Sequence, residues 1–85
     1  MYFVYVLKSK KDNKLYIGLT NNLKMRLLEH DQGFTTSTRY RRPLVLIYYE
    51  AYTSYRDAQI REKRLKKFKN AYAELKKRIF FSLRK

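Results

Sequence analysis

From Tyr2 to Leu7 every side chain is aromatic or aliphatic, and a second apolar run, Leu15 to Thr20, follows after one short polar stretch. No other feature restricts the fold as strongly. Runs this short, rich in valine and aromatic residues, favour extended chain over helix. In the second run Leu15, Ile17 and Leu19 alternate with Tyr16, Gly18 and Thr20, the period of a strand with two different faces. The stretch between them, Lys8 to Asn13, carries Asp12-Asn13, residue types that support turns by bonding their own backbone. The two runs are expected to pair as an antiparallel hairpin.

The rest of the chain alternates helix and strand signals. Asn21 and Asn22 are cap candidates for a helix over Leu23 to Asp31 that Gly33 closes. On its 3.6-residue wheel Leu23, Arg26, Leu27 and His30 share one face. Phe34 to Arg42 reads as a loop rich in Thr and Arg, ended by Pro43. Leu44 to Tyr49 is a third strand, apolar throughout, as a central strand should be. Ser54 with Asp57 resembles a capping box for a helix to about Phe68. Its apolar positions are Tyr55, Ala58 and Leu65, and Glu62 falls in their series. Asn70 is expected to cap a last helix through Ala71, Leu75 and Ile79, with Phe80 near its end. The order β-β-α-β-α-α predicts one α+β domain over 1–85, a small three-stranded sheet covered by helices in an α/β sandwich.

Charge points to a partner. The chain carries 21 Lys and Arg against seven acids, a net +14 over 85 residues. Self-repulsion at this density opposes compaction, so a polyanion is the expected ligand, nucleic acid before an anionic membrane surface. Lys63, Arg64, Lys66, Lys67 and Lys69 lie mostly off their helix's apolar face, and like charges at these spacings repel. A phosphate backbone would relieve that repulsion and release counterions. Arg39, Arg41 and Arg42 around Tyr40 suit phosphate contact with base stacking. Binding of this kind has no sequence specificity. No apolar run is long enough to span a membrane, no signal-peptide pattern opens the chain, and the absence of cysteine removes disulfides and thiolate metal sites. A cytoplasmic protein is expected.

A few residues could carry chemistry. Glu62 on a core-facing step must be paired or bound to a metal. A salt bridge to Arg26 or another inward cation and a hard-cation site both satisfy that need. Arg26, directed at the sheet, is either an ion-pair partner or a planar phosphate clamp. His30, one turn on, is a hydrogen-bonded packing residue or a base. Tyr5 and Tyr16 on adjacent strands are packing residues or phenols whose pKa a nearby cation would lower. Gly18, on the face of Tyr16, leaves room for another group to approach. No Gly-rich phosphate loop, paired-histidine metal motif or serine triad is present.

Together these residues resemble the GIY-YIG nuclease superfamily. Phe3-Val4-Tyr5 stands where the first motif belongs, with Phe3 replacing its glycine, and Tyr16-Ile17-Gly18 matches the second. Arg26, His30 and Glu62 follow at the family's positions. His30-Asp31-Gln32-Gly33, Thr38-Arg39-Tyr40-Arg41-Arg42-Pro43 and Tyr48-Tyr49-Glu50 are similar to the small stand-alone bacterial and archaeal members. The resemblance implies a three-stranded antiparallel sheet flanked by helices and metal-dependent hydrolysis of DNA phosphodiesters. It implies one Mg²⁺ or Mn²⁺ on Glu62, a general base in Tyr5 or Tyr16, charge neutralisation by Arg26, and assistance from His30. Asn70 is the one candidate for the family's late phosphate-binding asparagine. Arg39, Arg41, Arg42, Lys63, Lys66 and Lys67 would hold the nucleic acid. With no second domain, the chain is expected to select branched or damaged DNA by shape and charge rather than sequence, or to depend on a partner protein. RNA stays open as a substrate. The alternative is a nucleic-acid-binding module of the same fold with weak or no turnover.

Overall fold

In a computed structural model covering residues 1–85, the strand β1 (Tyr2–Ser9) lies between β2 (Leu15–Thr20) and β3 (Leu44–Tyr52), all antiparallel. The hairpin register sets Tyr5 opposite Gly18 and Leu7 opposite Tyr16. Its turn is built as the Asp12-Asn13 pair implies. Asn13 takes a left-handed φ of 62°, and Asp12 Oδ1 accepts the Lys14 amide at 2.9 Å. The fully buried Ser9 closes the turn: its hydroxyl accepts the Lys11 and Asp12 amides and donates to the Arg41 carbonyl at 2.6 Å.

Three helices cover the sheet. Helix α1 (Leu23–Asp31) packs on one face; α2 (Tyr55–Lys67) and α3 (Lys69–Arg78) pack on the other. Short 3₁₀ turns occupy Arg39–Arg41 and Ser82–Arg84. Strand alternation assigns the two cores. Val4, Val6 and Ile17 join Ala58, Leu65, Leu75 and Ile79 in the larger one. Tyr5 and Leu7 turn toward α1 and His30. Asn22 caps α1, its Oδ1 accepting the Met25 amide at 3.1 Å. Ser54 caps α2 by accepting the Asp57 amide at 3.4 Å. No helix is long and apolar enough to cross a membrane.

Three expectations change. The central strand is β1, and β3 is an edge. An unbroken apolar run reports that both faces of a strand are covered, not that both its edges are paired. A bulge opposite Val6-Leu7 achieves this coverage in β3: Ile47 and Tyr48 both pack on the larger core, while Leu44 and Leu46 line the α1 side with Leu7 and Leu27. Asn70 does not cap α3, which starts at Lys69 after Phe68 in extended conformation, with no side-chain cap; Asn70 lies exposed in the first turn. Tyr55, placed on the buried stripe by periodicity, is half exposed, because at the first position of α2 it reaches only the edge of Tyr2, with ring centroids 5.3 Å apart.

Candidate active site

Gly18 makes the site possible. A Cβ built there would lie 2.4 Å from both Cζ and the hydroxyl of Tyr5, so the Tyr5 ring occupies the space that a side chain would take. The hairpin register brings this about, since Tyr5 and Gly18 are directly paired. The ring is fully buried, and its hydroxyl is held 2.8 Å from His30 Nε2 and 3.4 Å from Arg26 Nε. Arg26 and His30 share one face of α1, as the helical period requires.

The chain of hydrogen bonds continues inward. His30 is 1% exposed, and its Nδ1 lies 2.7 Å from the hydroxyl of the buried Thr38. In the sequence Thr38 is one of several threonines of its loop, of which Thr35 is buried as well; the bond to His30 is what distinguishes it. Two proton arrangements satisfy this chain. In one, Tyr5 donates to Nε2 and Nδ1–H donates to Thr38. In the other, Thr38 donates to Nδ1, and the Tyr5 oxygen accepts from both Nε2–H and Arg26 Nε–H, the pattern that favours phenolate.

Tyr16 completes an aromatic cluster. Its ring centroid is 5.2 Å from that of His30 and 6.3 Å from that of Tyr5. Unlike Tyr5 it is only partly buried, and it lines an open groove with Lys66, Lys67 and Phe68.

The electrostatics correct one expectation. Nearby cations were expected to lower the tyrosine pKa values, yet that of Tyr5 is pushed up to about 12. Burial, which penalises phenolate, outweighs the hydrogen bond and charge of Arg26, and the charges of Tyr16 and Glu62 add to the rise. His30 is shifted the other way: burial, then the charge of Arg26, lowers its pKa and keeps the imidazole neutral.

Glu62 approaches from α2. Its neighbours along the helix stripe, Ala58 and Leu65, are buried, and its side chain is 19% exposed. It does not pair with Arg26. One carboxylate oxygen meets Lys66 at 3.1 Å, and Arg26 pairs with Glu29 at 3.1 Å. Neighbours one helical turn away on each helix supply these partners. The charge of Glu62 is only a minor influence on the Tyr5 hydroxyl, and the hydrogen bond of this acid goes to Lys66 rather than to Tyr5, Tyr16, Arg26 or His30. No group of three or more acids or histidines surrounds it. A single carboxylate with its other oxygen free of hydrogen bonds suits a hard cation that keeps waters and shares substrate oxygens.

The remaining basic residues divide into held and free. Arg41 pairs with Asp12 at 3.3 Å. Arg42 bonds the Arg39 and Asp31 carbonyls and lies over Gly33, whose φ of +80° only glycine adopts easily. Arg39 stacks 5.1 Å from the Tyr40 ring, both exposed. Lys63 and Lys67 are exposed with no acidic partner. A second ionic network was not foreseen. Arg61 forks onto Glu50 with two bonds of 2.9 Å, and the hydroxyls of Tyr48 and Tyr52 donate to the same carboxylate. The alternation Tyr48, Glu50, Tyr52 was its one sequence signal.

A three-stranded antiparallel sheet with tyrosines from a hairpin, an arginine and histidine from the first helix and a glutamate from the second defines a compact nuclease-type domain. The profile of the GIY-YIG catalytic domain matches residues 1–77, and the chain belongs to that family. It is 46% identical to a UPF0213 protein of Clostridium perfringens over 79% of this chain and 72% of that one. With UPF0213 protein YazA of Bacillus subtilis identity is 39% over 87% and 75%. The solution structure of a UPF0213 protein from Bacillus halodurans is similar with a TM-score of 0.56 and 30% identity, over 88% of this chain and 81% of that one.

Proposed function

We propose that this protein is a divalent-metal-dependent DNA endonuclease that selects its substrate by structure rather than sequence. The observation that carries this reading is the convergence of Tyr5, Tyr16, Arg26 and His30 around Gly18. Glu62 would hold one Mg²⁺ or Mn²⁺, which when bound supplies Lewis-acid stabilisation of a scissile phosphate.

The chain's own residues divide the other work. Arg26 turns its fork from Glu29 to the phosphate and neutralises charge as it develops there. Tyr16, partly exposed on the groove wall, loses its phenolic proton to solvent and as the phenolate takes the proton of the attacking water. Tyr5 stays protonated and buried, and it orients Arg26 and His30. His30, neutral and anchored by Thr38, holds the Tyr5 hydroxyl in place through Nε2. Arg39, Lys63, Lys67 and Asn70 carry the flanking phosphates and Lys66 joins them on leaving Glu62, while Arg41 and Arg42 stay with Asp12 and with the Arg39 and Asp31 carbonyls.

The alternative, a binding module with negligible turnover, draws support from Glu62, which pairs with Lys66 and has no group of three acids or histidines around it. Incubation with nicked, flapped, branched and single-stranded DNA, in Mg²⁺, Mn²⁺ or EDTA, separates the two. The nuclease reading expects metal-dependent cutting that Glu62→Gln lowers by about 10²-fold or more. Retained binding without cutting of any substrate leaves the module reading.

A further inference from the structure

Beside Tyr16 runs a groove of about 430 Å³ between β2 and the junction of α2 with α3, a volume typical of sites for a small organic molecule. Its floor includes Leu15 and the buried Leu65. Its walls are aromatic. Phe68 breaks the two helices apart with φ −110° and ψ 114°, so it belongs to neither buried stripe and stands 57% exposed. Its recorded ring partner is the Arg64 guanidinium, 5.9 Å away. Tyr72, one turn into α3, supplies the second ring. Lys66, Lys67 and Lys69 form the rim, and α3 begins there with first-turn amides that no side chain caps.

An apolar floor, two rings and a cationic rim suit a flat heteroaromatic group attached to an anion. We propose that this groove takes an unpaired nucleobase of single-stranded DNA, adjacent to the phosphate at Tyr16. Bases stack on exposed aromatic rings regardless of identity, and the lysines follow the backbone. Paired bases are enclosed in the duplex and offer no free face to Phe68. The groove therefore selects flaps, gaps and single strands over intact duplex. This rests on the nuclease reading for its orientation, because Tyr16 belongs to both groove and candidate site. An apolar peptide would find the same rings, but three lysines of one sign beside a net charge of +14 favour the polyanion.

The test separates base from backbone. Binding of the full chain, in EDTA to prevent cutting, is measured for an oligo-dT strand and an abasic strand of equal length and charge. The base-bearing strand is expected to bind about fivefold to about a hundredfold more tightly. Phe68→Ala should remove that preference without changing affinity for the abasic strand, and Phe68→Trp should keep it. Unchanged abasic binding also shows that the Phe68→Ala variant folds. Equal affinity of the two strands, or a Phe68→Ala loss equal on both, overturns the proposal. Cleavage measured alongside keeps the two readings apart. A base preference without cutting removes the nuclease and leaves the groove; cutting without a base preference does the reverse.

Discussion

Replacing Gly18 with alanine should damage both stability and activity through one contact. The new methyl carbon would sit 2.4 Å from Tyr5 Cζ and from its hydroxyl, where ordinary contact begins at 3.4 Å. The ring must retreat by about 1 Å, as those two distances require. It has no free volume to enter, being fully buried, and its retreat breaks the 2.8 Å bond to His30. Overpacking of this kind costs about 1–3 kcal/mol, and the lost buried hydrogen bond adds about 1 kcal/mol. In a domain of this size each kcal/mol lowers Tm by about 4–8 °C, so Gly18→Ala should melt about 10–25 °C below the parent. Misplacement of Arg26 and His30 by about 1 Å should reduce cleavage by about 10²-fold. Circular-dichroism melting with a nicking assay measures both. The cause is tested in a Tyr5→Leu background, where the shorter side chain leaves room and Gly18→Ala should add almost nothing. A Gly18→Ala protein that melts within a degree or two of the parent would refute the close approach; additive costs in the double variant would place the damage elsewhere.

His30 and Glu50 give separate predictions. The folded pKa of His30 lies below its ordinary 6.5 because of burial and the charge of Arg26. The neutral form is therefore favoured in the fold. Its stabilising contribution is present above pH 6.5 and lost as pH falls through the folded value. Melting temperature should decline as pH is lowered below about 6.5, and His30→Gln should remove that limb; a flat profile in the parent would contradict it. For Glu50→Gln, Arg61 loses its bidentate partner and two tyrosine hydroxyls lose their charged acceptor. Urea denaturation should show a loss of about 1.5–3 kcal/mol. A change below about 0.5 kcal/mol, the range of an ordinary surface substitution, would show that the network is idle.

Local rules made much of this structure legible. The alternation of Leu15 to Thr20 placed Tyr16 and Gly18 on one face, and the helical period placed Arg26 beside His30. Neither inference needs information from distant chain. What stayed hidden depends on tertiary placement. Whether Leu44 to Tyr52 is central or edge is decided by which strand pairs it, and apolar content does not encode that. The pKa of Tyr5 depends on how completely the ring is enclosed, so nearby cations alone gave the wrong direction. Thr38 is one threonine among several until His30 is seen beside it. Asn70 illustrates a rule outcompeted: asparagine favours N-caps, but the chain already turns into α3 at Phe68.

The acids of this chain explain how so cationic a molecule remains compact while its site stays ready for an anion. Five of the seven are in ion pairs, so most of the 21 cations have no carboxylate partner. Only the Glu50–Arg61 pair is bidentate and well enclosed, and it fixes α2 against the sheet one residue before Glu62. The two pairs at the candidate site are of another kind. Arg26–Glu29 and Glu62–Lys66 join neighbours one helical turn apart, and partly exposed pairs of that spacing contribute only about 0.3–0.5 kcal/mol. They hold the side chains in place when no ligand is bound and exchange easily. On the proposed reading a phosphate takes Arg26 from Glu29 and Lys66 from Glu62, which frees the Glu62 carboxylate for a cation at the moment substrate arrives. Metal and DNA affinity should then rise together, because each removes a competitor of the other.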